Sequence, residues 1–97
     1  MKIRFGNMVD NLVGIKEIEV CGRSLDEIFK NLSSSLKKNV NLLIDEKRES
    51  VYLVVENDGK FLKNWVIALH NGINLLDIDR DALQDGELVI FVPVSGG

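Results

Sequence analysis

Leu88-Val89-Ile90-Phe91-Val92 is apolar at every position. Extended, such a run presents apolar side chains to both faces of a sheet, so it needs cover above and below and a paired neighbour on each side. A fold for this chain must therefore be built around an interior strand near its end. Pro93, which has no N–H to contribute to a ladder, closes that strand.

The other segments supply what such a strand needs. Met1, Ile3 and Phe5 alternate with Lys2 and Arg4, which predicts a half-buried strand over Lys2 to Phe5. After a polar stretch containing Gly14, residues Ile15 to Val20 form a second extended segment, broken by Gly22, and the two make a hairpin. Ser24 followed by Glu27 is a capping pair that starts a helix. Leu25, Ile28, Phe29, Leu32 and Leu36 recur at helical spacing, Lys37 and Lys38 complement the negative helix end, and Asn39 is expected to close it. Val40 to Ile44 and Val51 to Val55 read as extended, with the charged run Asp45 to Glu49 a solvated loop between them. Asn57-Asp58-Gly59 signals a tight turn, Trp65 to Leu69 another strand, and Asn71-Gly72 and Leu83 to Gly86 further turns. The expected class is α+β, one main helix against a sheet.

A length of 97 residues allows one core and not two. A net charge of −3 removes the positive field that nucleic acid or an anionic membrane would require of a partner. No apolar run is long enough to span a bilayer and the opening residues lack a signal-peptide core, so a cytoplasmic location is expected. The lone Cys21 has no second thiol for a disulfide or metal cluster and is expected to be a small buried residue at a strand end. His70 has no ligand-spaced Cys, Asp or Glu and reads as structural, and no metal site is expected. No paired carboxylates, Ser-His or Cys-His set, or Gly-rich phosphate loop can be picked out, so the chain is not expected to be an enzyme by itself.

The chemistry is expected in Pro93-Val94-Ser95-Gly96-Gly97, a flexible tail over residues 93–97. With glycine at about 7% of residues, two at the terminus arise by chance in only about 0.5% of chains. Lacking Cβ, they could enter a narrow channel and approach a nucleotide. The four residues after Pro93 reach about 13 Å when extended. A terminal carboxylate on Gly97 is then a candidate nucleophile toward an ATP phosphate.

Asn71-Gly72, Leu83-Gln84-Asp85-Gly86-Glu87 and Val89 to Gly97, together with the opening strand and Asn11-Leu12-Val13-Gly14, resemble the small subunit of molybdopterin synthase, a ubiquitin-like sulfur carrier. The resemblance implies a β-grasp fold in which the last strand pairs beside the first. It implies that a ubiquitin-activating-type enzyme uses ATP to adenylate Gly97, that the product is a covalent C-terminal thiocarboxylate, and that the sulfur passes to a molybdopterin precursor in a larger synthase subunit. It further implies that Phe91 and Leu75 dock partners while Pro93, Val94, Ser95, Gly96 and Gly97 form the inserted tail. No permanently bound cofactor is implied. A second resemblance, to archaeal small modifiers, implies that Gly97 is joined to target-protein lysines instead. The chain departs from the first family in having Val92 before Pro93, Gly6 where an aromatic is common, and a longer segment between Val40 and Lys63 carrying an extra hairpin. Since one helix covers one sheet face, apolar surface from the last strand is expected to stay open, unless that hairpin or a short helix near Asp79 to Leu83 covers it.

Overall fold

The Ser24 hydroxyl accepts the Glu27 N–H at 3.1 Å, and the Glu27 carboxylate reaches back to the N–H of Arg23. These bonds start the main helix of a computed structural model that describes residues 1–93. The elements run β1 (Lys2–Phe5), α1 (Val9–Val13), β2 (Glu17–Glu19), α2 (Leu25–Leu36), β3 (Asn39–Asp45), β4 (Ser50–Asn57), β5 (Lys60–His70), β6 (Ile73–Asn74), a 3-10 turn (Leu75–Asp77) and β7 (Glu87–Phe91). Seven strands form one mixed sheet in the order β2-β1-β7-β5-β4-β3, with β6 beside the end of β5.

The closing apolar run lies where its composition requires. β7 pairs parallel with β1 on one side and antiparallel with β5 on the other. Leu88 and Ile90 point into the core with Ile3 and Phe5, and α2 contributes Leu25, Ile28, Phe29 and Leu32 to the same cluster. The fold is α+β and β-grasp-like, one main helix against one face of a mixed sheet.

Several boundaries differ from the sequence reading. The polar stretch after β1 contains the short helix α1, ended by Gly14 in the left-handed conformation. α2 closes at Lys37, whose φ of 57° turns the chain so that the Lys38 N–H also returns to the Ser33 carbonyl at 3.3 Å, and Asn39 instead opens β3. Residues Asp79 to Leu83 form no helix; Leu83 and Arg80 bond to Arg23 and Leu25 and strap this loop to the start of α2. Cys21 is exposed, not buried. β5 begins five residues before Trp65 because the turn at Asp58-Gly59, both at positive φ, sets Asn57 opposite Lys60. The extra hairpin β3–β4 widens the sheet sideways and does not fold over a face.

Candidate functional site

Alternation along β7 sends Val89 and Phe91 to the face opposite the core, and both are half-buried. The register continues this outer face across the sheet. Phe91 lies beside Ile67 and Val89 beside Leu69, while Trp65 sits opposite Tyr52 and Tyr52 opposite Leu43. Trp65 is 55% and Leu43 44% exposed, so no described element covers this surface. Val54, also on the outer face, is buried without belonging to the core cluster, between Asn41 and Lys63.

The cross-strand ion pairs of this face lie at its other end, whereas Lys63 and Glu56 stand among the apolar residues. Lys2 and Arg4 on β1 pair with Glu17 on β2 at 3.3 and 3.8 Å, and Arg4 reaches Glu87 at 3.6 Å. Exposed pairs of this kind contribute roughly 0–1 kcal/mol each, so their main effect is to border the apolar half with polar groups. The apolar half begins at Val89 and Phe91, at the end of the strand that leads to the tail.

Gly6 makes room for Phe91. A Cβ on Gly6 would stand 2.8 Å from the Phe91 Cβ, closer than carbon atoms pack. The aromatic surface at this spot therefore comes from Phe91 in place of a side chain at position 6.

No family model, curated protein or solved structure matches this chain.

The expected site residues fare differently. Phe91 and Pro93 are half-exposed at the end of β7. Val94, Ser95, Gly96 and Gly97 lie outside the described residues. Leu75 is a correction: it is fully buried in the core, so it offers no docking surface. The cause is local, since the Asn74 side chain accepts the Leu76 N–H at 3.0 Å and the resulting 3-10 turn carries Leu75 inward. Trp65, Tyr52, Leu43 and Ile67 were missed as surface residues. For Trp65 and Ile67 the signal was present in Trp65-Val66-Ile67-Ala68-Leu69, which is apolar at both parities like the last strand.

His70 is structural: it is 7% exposed and its Nε2 bonds the Gln84 carbonyl at 2.8 Å. Among the described residues no three His, Cys, Asp or Glu side chains converge as a metal cage, and no helix is long and apolar enough to cross a membrane.

Proposed function

We propose that the chain is a sulfur carrier whose reacting group is the Gly97 carboxyl. The observation that supports this reading is the coincidence of an uncovered apolar face with the end of the central strand. A partner seated on Phe91, Ile67 and Trp65 would hold the segment after Pro93 at a fixed distance from its own active site, which is the positioning such chemistry needs.

The chemistry has two steps. A Gly97 carboxylate oxygen attacks the α-phosphorus of ATP in an adenylating partner, and pyrophosphate leaves. Hydrosulfide, HS−, then attacks the carbonyl carbon and displaces AMP, and loss of its proton leaves a thiocarboxylate. That sulfur would be delivered within a molybdopterin synthase large subunit.

Intact-mass analysis of the protein isolated from its host tests this. The expected species carries one sulfur in place of one oxygen, located to Gly97 and lost on alkaline hydrolysis. Gly97 found only in amide linkage to lysines of other proteins would replace the carrier with a modifier. An unaltered Gly97 under conditions of sulfur demand would remove both.

A further inference from the structure

Each half of β5 has a different set of neighbours, with β6 beside Leu69 and His70 at its end. β4 accompanies it from Lys60 to Val66, but on the opposite side β7 reaches only Ile67 to His70. The Asn71 N–H donates to the Glu87 carbonyl at 2.9 Å, just beyond the last β5–β7 pair. Alternation in an antiparallel ladder then aims the main-chain groups of Leu69 and Ile67 toward β7. Past the end of β7 it aims those of Trp65, Lys63 and Phe61 the same way. Among the described residues nothing pairs with these groups on that side.

The side chains around this gap are open on both faces. Phe61 and Trp65 on the outer face are 65% and 55% exposed, and Leu62 on the inner face is 49% exposed. Lys63 lies with its Nζ 4.6 Å from the Tyr52 ring centroid, and no described carboxylate is within ion-pairing distance of it. The nearest acid across the ladder, Glu56 opposite Phe61, contacts Asn39.

Two occupants are disfavoured by the residues themselves. Continuing the β5–β7 register sets Pro93 opposite Trp65, where a donor is required and proline has none, so the chain's own end is interrupted at the first step. For a second copy, the antiparallel register that uses all three residues of both strands sets Lys63 against Lys63, and like charges directly opposite destabilise a pair.

We propose that the free edge of β5 from Phe61 to Trp65 accepts an extended segment of a partner protein as an added antiparallel strand. That segment carries an acidic side chain opposite Lys63 and apolar side chains opposite Phe61, Leu62 and Trp65. Main-chain bonds supply the attraction, and the acidic and apolar positions supply selectivity. The site shares Trp65 with the docking face proposed above but does not require any chemistry at Gly97.

The test uses the isotope-labelled full chain and a capped peptide, acetyl-Ser-Ile-Thr-Glu-Val-Ile-Ser-amide, followed by NMR shifts and amide exchange. Saturable shifts and slowed exchange at Phe61, Lys63 and Trp65 are expected. Replacing the peptide's Glu by Lys should weaken binding at least about fivefold, the equivalent of a 1 kcal/mol cross-strand charge pair at 1.4 kcal/mol per tenfold. Lys63→Glu should reverse the preference between the two peptides, and the peptide arm keeps the chain itself unaltered. Absence of saturable shifts at these amides would overturn the proposal. So would slow exchange there in the free chain that disappears on removing Val94 to Gly97, or on dilution, because the edge would then be occupied by the chain's own end or by a second copy.

Discussion

The tightest fit on the candidate site is between Gly6 and Phe91, where any added carbon at position 6 meets the Phe91 Cβ at 2.8 Å. Gly6→Ala should therefore destabilise the fold by about 1–3 kcal/mol, the usual cost of overpacking, read as a lower urea midpoint with an unchanged slope. An unshifted midpoint would mean that the two strands separate freely there. Phe91→Asp asks a different question. Phe91 is half-buried, so removing it should cost about 1–2 kcal/mol of stability, tolerable for a domain holding roughly 5–15 kcal/mol. Affinity for the proposed adenylating partner should fall by more than about tenfold, as for a central aromatic anchor. Unfolding with undiminished affinity in the folded fraction would return Phe91 to the core. At this scale Phe91 was legible as surface because its strand is apolar at both parities. Leu75 was not, because the inward turn made by Asn74 depends on a side-chain bond that periodicity does not encode.

Among the elements, β3 is an outer strand whose free edge is blocked by side chains. The Ser33 Oγ on α2 both accepts the Val40 N–H and donates to the Val40 carbonyl, each at 2.9 Å, and the Asn41 side chain accepts the Leu42 N–H. Ser33→Ala improves helix propensity by roughly 0.5 kcal/mol but leaves two part-buried main-chain groups without a partner, at about 1–3 kcal/mol. The loss wins, so this variant should be less stable, whereas Ser34→Ala, on the exposed side of the same helix, should be neutral or slightly stabilising. Equal midpoints for the two would contradict the bridging role of Ser33. α2 and the Asn57-Asp58-Gly59 turn were legible because capping and turn chemistry are local. The first half of β5 was not, since Lys60, Phe61, Leu62 and Lys63 are exposed on both faces and show no burial alternation. α1 was hidden by its brevity, with only Val9 and Val13 buried.

For the whole molecule, the interior place of the last strand followed from its composition, and its pairing beside the first followed from the resemblance. The position of β3–β4 at the sheet's far edge followed from neither, because strand order is set by which edges remain open after the first hairpin and the last strand have paired. That order leaves one broad face with cross-strand ion pairs on β1 and β2 and apolar side chains spreading from β7 toward β3 around Lys63, and Pro93 follows β7 at the border between them. In the proposed sulfur carrier this face delivers a carboxyl group at a defined reach. That delivery is tested most directly by ATP–pyrophosphate exchange with the cognate adenylating enzyme, comparing the intact chain with a variant lacking Gly97. One residue shortens the tail by about 3.5 Å, more than in-line attack tolerates. Exchange should fall to background while the thermal melt is unchanged, since the ladder of the described residues ends at Phe91. Full exchange activity in the shortened chain would rule out Gly97 as the reacting residue.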